Sequence, residues 1–315
     1  MNEISKWERE MDKPSVKETR AQPQSAEVQS QQWATYRDEL STWDSHSDNA
    51  KLKWNASNAE HNKFLGWCQA KLNDVSDKKI FKKKVFPQAE SAIKSHIINS
   101  GLDKLISSDK LSAKLADTTR ALTTKEMQSQ LRDDWNPGIT GSNDGKITRI
   151  DINQVAKQAK ETTIHEYYHQ LSANDVKTPS GSIEKRRGIS VDGRDDGMNE
   201  ALTQKYTLDT MKESDPDYRS KCPYNNATEY IDKLYPLEGN GDMFDVAYFQ
   251  NKPSLLEYHF NHYCGKGFYQ ELSLHFDAVV HGDPWLSNQS SGRIGEMIKK
   301  YIQARSNSSI EGVNT

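Results

Sequence analysis

The sequence predicts an α+β fold, mostly α, with one small sheet set beside a central helix. Three observations carry this. Aromatic and apolar residues recur at helical spacing, as in Trp33, Tyr36, Leu40 and Trp43, which fall on one face. One short segment, from Lys146 to Ile152, alternates instead: Ile150 and Ile152 are interleaved with polar residues, the pattern of a short half-buried strand. Behind that strand a helix is expected from about Gln154 to Leu171, close enough to pack on it.

The elements follow in order along the chain. Residues 1–30 are rich in Glu, Lys, Gln and Ser and read as a disordered leader. Residues 31–131 read as a helical region: Trp54, Phe64 and Trp67 continue the stripe, and a helical pattern from Ala92 to Leu131 carries Ile93, Ile97, Ile98, Leu102, Leu105, Ile106, Leu111 and Leu115. The basic run from Lys78 to Lys84 is expected to be a solvated helix face or loop. Asn136-Pro137-Gly138 and the Gly141 to Gly145 stretch are turn chemistry, and a second region, 132–305, begins with them. Between about Ser172 and Gly197 the chain is glycine-rich and predicts a long loop or a hairpin around Gly188 to Val191. A second helix is expected from Met198 to about Met211. The remainder reads as helices broken near Pro223, Pro236, Gly239, Pro253, Gly265 and Pro284, with a disordered tail over 306–315.

Composition narrows the function. The net charge of −3 provides no basic field, so no nucleic-acid partner is expected. Apolar runs such as Ala278-Val279-Val280 are far too short to span a bilayer. Met1 to Gln32 contains no hydrophobic signal core, so the expected location is cytoplasmic as made. Cys68, Cys222 and Cys264 form no CxxC pair and are expected to be idle thiols rather than metal ligands.

The informative segment is Thr163-Ile164-His165-Glu166-Tyr167-Tyr168-His169-Gln170-Leu171. Histidines four apart on a helix lie one turn apart on one face, so both imidazoles can reach one cation. Zinc takes imidazole nitrogen readily and, in catalytic sites, keeps a position open for water. Glu166 lies about 100° further round the helix. From there it can accept a proton from water and later pass it to a leaving amine. Two histidines leave the ligand set short of a third member. Glu200, in Gly197-Met198-Asn199-Glu200-Ala201, stands at the start of the second predicted helix.

The order of HExxH motif, loop, then Asn-Glu on a second helix resembles the gluzincin branch of the zincin metallopeptidases, of which the thermolysin-like enzymes are familiar members. The resemblance covers roughly residues 145–210. It implies a zincin-like metallopeptidase domain, a Zn2+ cofactor, and Glu200 as third ligand beside His165 and His169. Two departures stand out. The interval from His169 to Glu200 is longer than usual, with an inserted loop or flap over 172–197 to absorb it. Where the family has an aspartate that orients a zinc-binding histidine, this chain has Gln204, whose amide oxygen can still accept an imidazole N–H.

Other assignments follow from the same reading. His259 and His262 are competing ligands, with packing or hydrogen bonding as their expected role. Asp192, Asp195 and Asp196 do not make a calcium loop, because Arg194 and Thr203 occupy the third and twelfth positions counted from Asp192. Tyr248 is the candidate donor to the developing oxyanion, as the resemblance asks for a tyrosine or histidine from a later segment, with His259 or His262 behind it. The strand ending near Ile152 is expected to offer its edge to an extended polypeptide substrate. The expected function is thus a zinc metalloendopeptidase with Glu166 as general base and acid. The polar leader ahead of a compact peptidase looks like bacterial toxins or effectors, in which secretion or injection machinery would engage the leader. A housekeeping cytosolic peptidase and a non-catalytic, zinc-stabilised scaffold are the alternatives.

Overall fold

The computed structural model describes residues 74–132, 139–177, 181–237 and 239–311. The leader over 1–30, the aromatic stripe from Trp33 to Trp67 and Cys68 lie outside the described residues.

The basic run is helical. Residues 74–80 pass into a π-helical turn, Phe81–Val85, and on into α1, Phe86–Ser100. Phe81, Val85 and Phe86 turn inward while Lys79, Lys82 and Lys83 face solvent, and Lys78 pairs with Glu126 at 2.5 Å. The long helix expected to continue to Leu131 stops at Gly101. Its left-handed conformation (φ 77°) suits a residue without a Cβ, and its N–H closes on the Ile98 carbonyl. Beyond it come the short helix α2, Ser108–Ser112, the strand β1, Thr119–Leu122, and α3, Thr124–Leu131. A capping box starts α3: Thr123 accepts from the Glu126 N–H, and the Glu126 carboxylate accepts from the Thr123 N–H.

β2, Gly141–Asn143, and β3, Thr148–Asp151, complete a sheet of order β1-β3-β2. β1 runs parallel to β3 with Ala121 opposite Ile150, and β2 runs antiparallel to it with Gly141 opposite Ile150. The turn between β2 and β3 is built as its sequence suggests: Asp144 Oδ1 accepts the N–H groups of Lys146 and Ile147 at 3.0 and 2.9 Å. This topology corrects one expectation. The strand ending near Ile152 is the central strand, flanked on both sides, so it has no free edge. Among the described residues β2 is the edge strand on that side of the sheet.

Helix α4, Ala156–Ser172, carries the histidine motif and is enclosed on nearly every side. Ala159 packs with Ile150, Ile152, Phe81 and Phe86 between helix and sheet. Ile164, Tyr167, Tyr168 and Leu171 belong to the larger core shared with the other helices. The Tyr167 hydroxyl lies 2.9 Å from Thr119 Oγ1 on β1. The Tyr168 hydroxyl lies 2.7 Å from Thr210 Oγ1 across the bundle. The region expected to be a loop or hairpin is a small antiparallel sheet of β4, Ala173–Lys177, β5, Ile183–Arg187, and β6, Ser190–Val191.

α5, Asp196–Ser214, lies against α4 and places its first two turns beside the motif. Then follow α6, Asn225–Leu234, α7, Asn240–Phe249, α8, Pro253–Cys264, α9, Phe268–His281, and α10, Pro284–Glu311. The fold is mostly helical with small three-stranded sheets. Because β1 pairs with β3 and α1 packs on α4, residues on both sides of position 131 share one compact unit. Residues 306–311 continue α10 rather than forming a tail. Among the described residues no helix is long and apolar enough to cross a membrane.

Gly197 fixes how α5 meets α9, since a Cβ there would come within 2.4 Å of the Phe276 carbonyl oxygen. Backbone cannot swing aside as a side chain can. Gly197→Ala should therefore lower the free energy of unfolding by about 2–3 kcal/mol, read from the urea midpoint. An unchanged midpoint would show that the helices slide freely.

Candidate metal centre

The four-residue spacing on α4 projects His165 and His169 to the same side, where α5 brings up Glu200. His165 Nε2 lies 3.0 Å from Glu200 Oε2, His169 Nε2 lies 3.1 Å from Glu200 Oε1, and the two Nε2 atoms are 3.1 Å apart. The two imidazoles are nearly fully buried and Glu200 is largely so. Two imidazole nitrogens and a carboxylate are a ligand set that zinc favours. Bonds of 2.0–2.2 Å at tetrahedral angles would separate ligand atoms by roughly 3.4 Å, a few tenths of an ångström more than seen here. The three residues could hold a metal ion.

Electrostatics tie the three side chains to one another. Burial alone would raise the Glu200 pKa, yet the charge of His169 and the hydrogen bonds from both imidazoles hold its carboxyl well below the usual range. Burial works to lower the His169 pKa, but the Glu200 carboxylate outweighs it and keeps the ring easier to protonate than usual. Glu166, buried on the same helix, has its carboxyl pushed up to about 8, chiefly by desolvation, with His165 opposing and Glu200 adding to the rise. Its side chain rests on β2. A Cβ at Gly141 would stand 2.6 Å from Glu166 Oε1 and 2.6 Å from Thr162 Cγ2, so any side chain there would have to displace the carboxyl group.

The Nδ1 side of His165 is held as well. It lies 3.1 Å from Gln204 Oε1, the contact its place on α5 suggested. Gln204 Nε2 in turn donates to Glu161 Oε1 at 2.7 Å, one helical turn before His165 on α4. Glu161 also accepts from Tyr218 Oη at 2.7 Å and from Ser220 Oγ. Sequence reading passed over this carboxylate, although a position four residues before His165 shares its face.

A cavity of about 910 Å³ opens over the triad. Its walls include Gly141, Ser142 and Asn143 of β2, Arg187 of β5, and Cys222 and Tyr224 from the loop before α6. The Tyr224 ring lies against His165, with centroids 5.6 Å apart. Burial, with Glu200 nearby, holds its hydroxyl well above the usual phenol range, so it stays a donor. Burial likewise pushes the Cys222 thiol up to about 12. On the opposite rim His281 Nε2 pairs with Asp196 Oδ2 at 3.1 Å. Neither Tyr224 nor His281 was visible in the sequence, because each lies beyond the motif helices in a position set by tertiary packing.

Other predicted residues go elsewhere. Tyr248 is not brought to the cavity. It is fully buried in the core, its ring against Tyr206 and Phe249 and its hydroxyl 2.7 Å from Thr203 Oγ1. The α7 turn carrying it points into the bundle, and Tyr224 lines the cavity where Tyr248 does not. His259 Nε2 meets the Tyr301 hydroxyl at 2.5 Å and His262 stacks on Tyr258, both apart from the triad. Asp192 Oδ1 accepts the Lys185 N–H, Asp195 bonds Ser273, and Asp196 reaches the rim.

The purified chain should take up a single zinc ion, and His169→Ala or Glu200→Ala should abolish uptake in chelator competition. Metal must compete with protonation of His169, which Glu200 favours, so affinity should fall as pH falls, starting above the ordinary imidazole value of 6.5. An affinity that stays flat through the imidazole range would contradict the assignment of His169. Comparison with protein-family models, with curated proteins and with solved structures finds no match to this chain.

Proposed function

We propose that this chain is a zinc-dependent metallopeptidase that hydrolyses peptide bonds of polypeptide substrates with water as nucleophile. The observation that carries the reading is the convergence of His165, His169 and Glu200 at 3.0–3.1 Å under a wide cavity, with the Glu166 carboxyl beside them. A metal serving only to staple the fold would be closed off by a fourth protein ligand. Among the described residues the group contains three. When bound, zinc supplies a Lewis acid that makes water a nucleophile near neutral pH and polarises a carbonyl oxygen.

The chain's own residues perform the rest. A buried carboxyl group beside the triad is suited to carry a proton in both directions. Glu166 takes the proton of the attacking water on a carboxylate oxygen and delivers it to the amine nitrogen as the peptide bond breaks. Among the described residues β2 is an edge strand, and Gly141 to Asn143 lie along the cavity wall. An extended peptide adding to that edge would be held by main-chain hydrogen bonds, which ask little of its sequence. Tyr224 and His281, the latter kept readily protonated by Asp196, are the donors placed to face negative charge developing on the scissile carbonyl oxygen.

Glu166→Gln should lower kcat on an unfolded, quenched-fluorescence polypeptide by about 10²–10⁴-fold while leaving zinc content intact. Tyr224→Phe should lower kcat by about 10²-fold with KM little changed. A zinc-loaded wild type that cleaves no polypeptide, or a Glu166→Gln variant as active as wild type, would refute the proposal.

A further inference from the structure

Arg187 stands at the end of β2. On β5 it pairs with Ala173 of β4, just beyond the last turn of the metal helix, and its side chain crosses to the β2–β3 turn. There Nη2 donates to the Asp144 carbonyl at 2.8 Å, while Nη1 donates to Asp175 Oδ1 at 2.8 Å and to the Arg186 carbonyl at 2.7 Å. Gly145 leaves it space, since a Cβ there would stand 2.7 Å from Nη2. A guanidinium carries five N–H groups. Nε and one Nη2 hydrogen therefore have no acceptor among the described residues. The side chain is 19% exposed and lines the same cavity as the triad.

The acids nearby leave these donors open. Asp144 turns its carboxylate the other way, Oδ1 to the N–H groups of Lys146 and Ile147 and Oδ2 to Arg149. Glu200 is held by the imidazoles and Asp196 by His281. Asp175 takes only Nη1 and is itself 37% exposed, so water screens that pair. Two of the three contacts that fix the guanidinium are to backbone carbonyls, which position its fork without cancelling its charge.

We propose that Arg187 is a specificity-determining residue whose open guanidinium donors take a carboxylate of the substrate. This rests on the metallopeptidase reading and deepens it by naming a substrate class: peptides with an acidic group near the cut. An extended peptide laid along Gly141 to Asn143 meets Arg187 where β2 gives way to Asp144. Alternate side chains of an extended chain point the same way, so the group taken stands at one fixed position relative to the scissile bond. An Asp or Glu side chain and a free C-terminus offer the same chemistry.

Peptide pairs that differ only in Glu or Gln at one position, each with its C-terminus free or amidated, separate the two sources. Wild type should cleave the best-placed acidic peptide with kcat/KM about 10–100-fold above its neutral twin. In Arg187→Gln that ratio should fall to about 1. The ratio compares two substrates on one protein, so a fold weakened by the lost Asp144 and Asp175 contacts lowers both members alike. Binding gives a second readout that needs no cleavage. By fluorescence anisotropy, the metal-free protein in chelator should hold the labelled acidic peptide about tenfold tighter than the neutral one, and Arg187→Gln should hold both equally. Nitrogen-15 NMR of wild type, which needs no variant, should show the Arg187 Nε–H resonance moving with the acidic peptide and staying in place with the neutral one. The inference is overturned if wild type treats acidic and neutral peptides alike, if Arg187→Gln keeps the preference, or if the Nε–H resonance ignores the acidic peptide. Selective binding without any cleavage would sink the metallopeptidase reading alone.

Discussion

Two imidazole nitrogens and a carboxylate converge in the interior of this molecule. The Nε2 atoms of His165 and His169 and the carboxylate of Glu200 approach to 3.0–3.1 Å with little water to screen them. The imidazoles stabilise the Glu200 carboxylate, and the carboxylate in return keeps His169 easier to protonate than usual. The same three side chains could hold a metal ion. Their contact joins α4 to α5, and the elements around it can be understood by how they hold it in place.

That holding explains the unusual character of α4. A surface helix shows one apolar stripe, but α4 buries residues toward the sheet, toward α1 and toward α5. Its tyrosines each reach a hydroxyl partner on a different neighbour, Thr119 and Thr210, which pins the helix against rotation about its axis. α5 is pinned in turn by the close approach of Gly197 to the α9 backbone and by Asn199, whose Oδ1 accepts the Ile189 N–H. A small rotation of either helix would separate Glu200 from the histidines, so rigidity is concentrated where the ligand atoms need it.

Much of the centre was legible in the sequence because helical geometry is local. A four-residue interval places two histidines on one face whatever surrounds them, and the resemblance of Asn199-Glu200 on a second helix to the gluzincin pattern pointed to the third member of the group. Gln204 was placed by the same arithmetic. What escaped depends on distant partners. β1 is four residues, Thr-Arg-Ala-Leu, too short to show a period, and it exists because β3 pairs with it. That missing strand is also why β3 was read as an edge. Tyr224 follows Pro223 in a loop without periodicity, and Tyr248 belongs to a helix whose inward face no local pattern reveals. Glu161 had a signal, its shared face with His165, but its meaning emerges only once Tyr218 and Ser220 fold back on it.

Zinc-edge X-ray absorption of the purified, metal-loaded protein probes the proposed centre without relying on any substrate. The account predicts only nitrogen and oxygen neighbours at about 2.0–2.2 Å, with the outer scattering of two imidazole rings. A sulfur neighbour at about 2.3 Å, or a spectrum without imidazole scattering, would contradict it.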